Sequence, residues 1–136
     1  MNALPTPSSR RWLIVDDNGQ IADLLAIALR RLGLAEVERF TSSSEAYART
    51  RRDAFDLVLT DRDMPGLDGL EFARRLRAES PATKVVLVSG HTDDLTSEDL
   101  CGAGISAVVA KPFSVEGVQT VVQSLVGSPA IACCAA

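Results

Sequence analysis

The chain has 136 residues, 46% of them apolar and 24% charged, with a net charge of −4. That length suits one domain with a buried core. The acidic balance, with basic residues gathered into nothing larger than small groups such as Arg10-Arg11, Arg49-Arg51-Arg52 and Arg74-Arg75-Arg77, speaks against a nucleic-acid footprint, and no apolar run approaches membrane-spanning length.

Residues 1–10 are rich in Pro and Ser and read as a flexible arm without the apolar stretch of a signal peptide. Trp12 to Val15 is a short apolar strand that ends in Asp16-Asp17. Asn18-Gly19 turns the chain. Ile21, Leu24, Leu25, Ala28 and Leu32 then recur at helical spacing as a core stripe until Gly33 stops the helix. Ala22, Ala26 and Leu29 stand outside that stripe as extra small and apolar positions. Val37 to Phe40 is a weaker strand, and Ser44 is the expected N-cap of a helix through about Arg52.

Leu57 to Asp61 is a buried strand that runs straight into a carboxylate, followed by Met64-Pro65-Gly66 and Asp68-Gly69 as loop punctuation. A helix is expected from about Leu70 to Glu79, with Phe72, Ala73 and Leu76 inward and Pro81 ending it. Val85 to Val88 forms the next strand, ending in Ser89-Gly90-His91. An acidic helix is expected over about Asp93 to Leu100, its Asp93, Asp94, Glu98 and Asp99 on a solvated face. Ala107 to Ala110 is the last strand, ending in Lys111-Pro112. Ser114 caps a final helix with Val115, Val118, Val122 and Leu125 on one face, and residues 127–136 form a tail of small residues. Residues 11–126 are thus the expected domain.

Five near-continuous apolar strands alternating with five helices predict an α/β fold with a parallel sheet covered on both faces. Right-handed crossovers leave few arrangements, and the expected one is a doubly wound, five-stranded, flavodoxin-like sheet of order 2-1-3-4-5. In such a sheet Asp16, Asp17, Asp61, Ser89 and Lys111, each just past a strand, converge on the carboxyl edge.

Three carboxylates at one point repel each other, and a divalent cation resolves the repulsion. All-oxygen ligands without Cys or His select an ion like Mg²⁺. A metal, a lysine and a hydroxyl around an open carboxylate suit a phosphoryl group, whose oxygens need positioning and neutralisation. Asp61 is then the candidate nucleophile. Gly102 to Ala107 imitates a dinucleotide fingerprint but follows a helix and opens a strand, the reverse of that motif's context. Cys101, Cys133 and Cys134 form neither a disulfide framework nor a zinc set, which fits a reducing cytoplasm.

Val15-Asp16-Asp17, Thr60-Asp61 with Met64-Pro65-Gly66, Val88-Ser89-Gly90 and Lys111-Pro112-Phe113 occur in this order over residues 11–126. With these motifs the sequence resembles a response-regulator receiver domain of bacterial two-component signalling. The resemblance implies that Asp61 accepts a phosphoryl group from a sensor histidine kinase or phosphotransfer protein. It implies Mg²⁺ on Asp17 and Asp61, with Asp16 acting through water and the Asp63 backbone carbonyl completing the protein ligands. It implies that Ser89 senses a phosphoryl oxygen, that Lys111 pairs with the phosphate, and that Lys111-Pro112 is cis. Such a protein is not an enzyme beyond its own phosphorylation and dephosphorylation. It is expected to signal to a downstream protein by docking, here as a single-domain regulator or as a fragment of a longer protein, with its first helix meeting the kinase.

One departure stands out. The family often places Tyr or Phe three residues before the lysine, and here that position is Val108. Without a ring to swing inward, readout shifts to residues 90–104. Asp63 and His91 flank the acceptor at positions where the family tunes hydrolysis; Asp63 could add a fourth carboxylate, and His91 could orient a water. Two other classes compete: a receiver-like interaction module acting without phosphorylation, and a Mg²⁺-dependent phosphatase, whose second acid would be Asp63.

Overall fold

The computed structural model describes residues 10–91 and 94–126. In chain order it contains β1 (Arg11–Val15), α1 (Gly19–Leu32), β2 (Glu36–Phe40), α2 (Ser43–Thr50), β3 (Leu57–Asp61), α3 (Gly69–Glu79), β4 (Lys84–Ser89), α4 (Ser97–Ala103), β5 (Ile105–Ala110) and α5 (Val115–Val126). All strand pairs are parallel, in the order β2-β1-β3-β4-β5. This is the expected doubly wound sheet.

Alternation along each strand divides the core. Trp12, Ile14, Leu57, Leu59, Val86, Val88 and Val109 pack with Leu25, Ala28, Leu29, Val118 and Val122 from α1 and α5. Their strand neighbours Leu13, Val15, Val58, Val85, Leu87 and Ile105 pack with Ala46, Phe72, Ala73, Leu76 and Ala103 from α2, α3 and α4. Full burial of such a Leu, Val or Phe side chain contributes about 1.5–3 kcal/mol. The same interdigitation fixes register, because a one-residue slip would exchange the two faces.

Several boundaries differ from the expected ones. Helix α2 is capped by Ser42, whose Oγ accepts from the Glu45 amide, so it starts before Ser44. Ser42 and Glu45 have the Ser-x-x-Glu spacing of a helix start. Strand β5 begins at Ile105; a register shift opposite Val85 and Val86 leaves Ser106 unpaired, which broke the apolar run in the sequence. Helix α4 spans Ser97–Ala103 behind Thr96, which forms a reciprocal capping box with Asp99. Asp94 therefore precedes the helix, and Asp93 lies outside the described residues. Gly104, at φ 74°, ends α4, so the dinucleotide-like glycines are a helix stop.

Helix α1 also buries more than its expected stripe. Ala22, Ala26 and Leu29 are in the core, while Leu24 is 36% and Ile27 43% exposed. The cause is position: α1 touches α5 as well as β2, so its covered face is wider and rotated. Asn18, not Asp17, caps the helix by accepting from the Gln20 and Ile21 amides. That leaves the Asp17 carboxylate out of capping. Ser114 accepts from the Gly117 amide at α5, as expected. No helix among the described residues is long and apolar enough to cross a membrane.

Candidate functional site

The parallel register brings the candidate residues to one edge. Val15 stands opposite Thr60, Asp61 opposite Val88, and Ser89 opposite Ala110. Beyond the strands the ladder continues: the Asp16 amide donates to Phe40 O at 3.1 Å, Arg62 to Val88 O at 3.0 Å, and Lys111 to Ser89 O at 2.8 Å. Backbone pairing alone thus aligns Asp16, Asp61, Ser89 and Lys111.

One carboxylate oxygen from each of Asp16, Asp17 and Asp61 lies within 4.8 Å of the others. Asp16 is fully buried, Asp61 is 5% exposed, and Asp17 opens to solvent. Lys111 Nζ donates to Asp61 Oδ1 at 2.8 Å and to Asp16 Oδ2 at 3.3 Å. The second Asp16 oxygen accepts from the Asn18 amide at 2.9 Å.

Burial pushes the Asp61 carboxyl above the usual range, and the Asp16 charge adds to this against the opposing Lys111 hydrogen bond. Burial works against the Lys111 ammonium, but its bond to Asp61 and the Asp16 charge outweigh it and raise that group too. The lysine gains from the pairing while Asp61 carries the cost of a half-neutralised buried cluster.

Such a cluster fits a metal ion. Oxygens held about 2.1 Å from one octahedral cation lie at most about 4.2 Å apart, and the three carboxylate oxygens, all within 4.8 Å of one another, are close to that span. The donors are hard oxygens, and one face opens at Asp17.

The loop after β3 is fastened from two sides. Buried Ser43 of α2 donates its hydroxyl to Pro65 O and accepts from the Leu67 amide. Asp68 caps α3 by accepting from Glu71 N. Gly69 is a close approach: a Cβ there would stand 2.3 Å from Asp61 O and 2.9 Å from Leu87 Cδ1. Only glycine lets α3 begin this near the acceptor strand.

Ser89 is fully buried, and its Oγ donates to His91 O at 2.6 Å and accepts from His91 N at 3.2 Å. Asp63 does not join the carboxylate cluster; its side chain is 67% exposed and stands 3.7 Å from His91 Nε2. Its position leaves the fourth-carboxylate possibility unsupported. Lys111-Pro112 is cis, as the resemblance implied. Val108 is half-buried opposite Leu87 and, like Leu95 and Leu100, packs against the core cluster on the α3 and α4 side.

The sequence did not reveal Arg62. Its guanidinium forks onto Asp94, Nη1 to Oδ1 at 2.8 Å and Nη2 to Oδ2 at 2.6 Å, and Nη1 also reaches His91 O at 2.9 Å. Asp94 is therefore paired within the chain and is not part of an acidic face of α4. The arginine groups singled out in the sequence are tethered by ion pairs: Arg11 and the part-buried Arg49 to Glu38 and Asp53, Arg51 to Glu79, Arg74 and Arg75 to Glu71.

A family model described as the response regulator receiver domain matches residues 12–123. The chain belongs to this family. It is 39% identical over 106 residues to a response regulator receiver protein of Anaeromyxobacter sp. (strain Fw109-5), covering 78% of this chain and 44% of that protein. It is 32% identical over 104 residues to the response regulator receiver protein CpdR of Brucella abortus (strain 2308), covering 76% of this chain and 86% of that one. Its fold superposes on the BeF3-activated DrrB receiver domain of Thermotoga maritima with a TM-score of 0.75 at 25% identity, over 88% of this chain and 98% of that one. The receiver thus spans less than half of the Anaeromyxobacter relative and most of CpdR.

Proposed function

We propose that this receiver takes a phosphoryl group onto Asp61 and signals by a conformational change that alters protein docking. The observation that carries this reading is the Lys111 ammonium bridging Asp61 and Asp16 beside the three-carboxylate cluster. A structural ion pair needs one carboxylate; three carboxylates clustered beside one lysine leave uncompensated negative charge that a cation would neutralise, opening the acceptor to a phosphoryl group.

The donor chemistry follows from the family: a phosphohistidine of a sensor kinase or phosphotransfer protein. An Asp61 carboxylate oxygen attacks phosphorus. The P–N bond breaks, its electron pair returns to the imidazole nitrogen, and the ring takes up a proton. Lys111 neutralises charge on the acceptor and then on the transferred oxygens. Asp16, Asp17 and Asp61, with the Asp63 carbonyl, would hold Mg²⁺, which would supply charge neutralisation of the phosphoryl oxygens. Ser89 would donate its hydroxyl to one of those oxygens. The protein then acts as a switch in the cytoplasm, turning over only its own acyl phosphate, with a downstream protein as target.

A second reading, constitutive docking without phosphorylation, draws on Val108 in place of the usual ring. One experiment separates them. The protein is incubated with Mg²⁺ and acetyl phosphate and its intact mass measured. A gain of one phosphoryl group that is absent in Asp61→Ala is expected. No gain in the wild type, or a gain that survives Asp61→Ala, defeats the switch.

A further inference from the structure

The Ser89 hydroxyl has one proton, and that proton is given to the His91 carbonyl. It cannot be given to a phosphoryl oxygen on Asp61 at the same time. Whatever holds the His91 carbonyl in place therefore competes with phosphoryl recognition.

That carbonyl is held from outside its own loop. It accepts a second bond from Arg62 Nη1. Arg62 is rigid for several reasons. Its amide is tied to Val88 O, its own carbonyl accepts from the Gly69 amide, and its side chain is only 13% exposed. The guanidinium plane is fixed by the two-pronged bond to Asp94. Among the described residues, the other partners of His91 are Ser89 itself, which accepts from its amide, and the exposed Asp63, 3.7 Å from its 65%-exposed ring. Without Arg62 the carbonyl would keep only its bond from Ser89, which can exchange with water.

We infer that Arg62 is a positioning residue for Ser89: through the His91 carbonyl it keeps the Ser89 hydroxyl engaged away from Asp61 and so opposes the phosphorylated state. Arg62 directly follows the acceptor in sequence, so a group on Asp61 and the clamp on His91 are tied to the same two residues of chain. This places the opposing device in residues 62, 91 and 94, where no aromatic ring at position 108 is required. The inference rests on the phosphoryl-accepting reading of Asp61.

The test uses beryllofluoride, formed from beryllium chloride and sodium fluoride with Mg²⁺, as a phosphoryl mimic, with bound fluorine followed by NMR. Arg62→Ala is expected to lower the half-saturating concentration by about threefold to tenfold, the range for one hydrogen bond. Asp94→Asn, at a side chain 64% exposed, is expected to shift it the same way by less, and guards against a folding defect in the first variant. In a Ser89→Ala background Arg62→Ala is expected to make no difference, because no hydroxyl remains to be held.

A merely structural Arg62 would change stability without this dependence on Ser89. An unchanged or raised half-saturating concentration in Arg62→Ala, or a shift that persists without Ser89, overturns the inference alone when the wild type is phosphorylated on Asp61. A wild type that neither gains mass with acetyl phosphate nor binds beryllofluoride overturns the phosphorylation reading and this inference with it.

Discussion

Asp16, Asp61 and Lys111 are placed by the sheet, whereas the surroundings of Ser89 are placed by side chains. The first three extend the parallel ladder, and each is anchored by a strand or by a backbone bond one residue past it. On the other side, Ser89 sits at a strand end but its hydroxyl points into a loop whose placement depends on Arg62. The first arrangement can shift only if strands shift. The second can change by rotating a few torsions. A switch needs both: a rigid acceptor that does not have to be rebuilt at each event, and a reporter held by bonds weak enough to exchange.

The rigid half breaks most severely at Lys111. Lys111→Ala leaves Asp16 and Asp61 facing each other without their shared cation. Phosphoryl uptake from acetyl phosphate is expected to fall by about a hundredfold, the effect of losing one preorganised charge-stabilising donor. Initial rates of mass gain measure it, and a fall of less than about threefold would show that Lys111 is an ordinary ion-pair partner.

Gly69→Ala attacks the same half through the backbone. The added methyl would stand 2.3 Å from Asp61 O, so α3 or the end of β3 must move. Alanine is otherwise the better helix former, yet overpacking is expected to win and cost about 1–3 kcal/mol in urea unfolding. Stability equal to or above wild type would mean that the carboxyl edge gives more easily than the comparison holds.

How legible each half was follows from the same physics. The strand order and the convergence of Asp16, Asp17, Asp61, Ser89 and Lys111 could be read because apolar runs and their polar successors are local in sequence. Ser106 hid the start of β5, since a bulge interrupts the alternation that marks a strand. The Thr96–Asp99 spacing of a capping box is local in sequence, but the acidic residues before it extended the expected helix toward Asp93. The covered face of α1 depends on where α5 lies, which periodicity within α1 does not contain. Arg62 and Asp94 are 32 positions apart and belong to no motif. Nothing local distinguishes that pair from any other surface arginine and aspartate, so the device that positions Ser89 became visible only in three dimensions.

The subtlest difference between the two regions is in their carboxylates, which move in opposite directions. Asp61 is pushed up by burial. Asp94, though exposed, is held down from 3.8 to about 2 by its hydrogen bonds to Arg62. A lowered folded value means that the pair stabilises the folded chain fully above about pH 3.8 and that this contribution is lost as the pH falls toward about 2. In an NMR titration, the Asp94 side-chain carbon is expected to titrate near pH 2 in the wild type and to return toward 3.8 in Arg62→Ala. The stability difference between the two proteins should shrink over that same window. An Asp94 midpoint that is unmoved by Arg62→Ala would mean that the fork is loose in solution, and that something other than Arg62 keeps the His91 carbonyl beside Ser89.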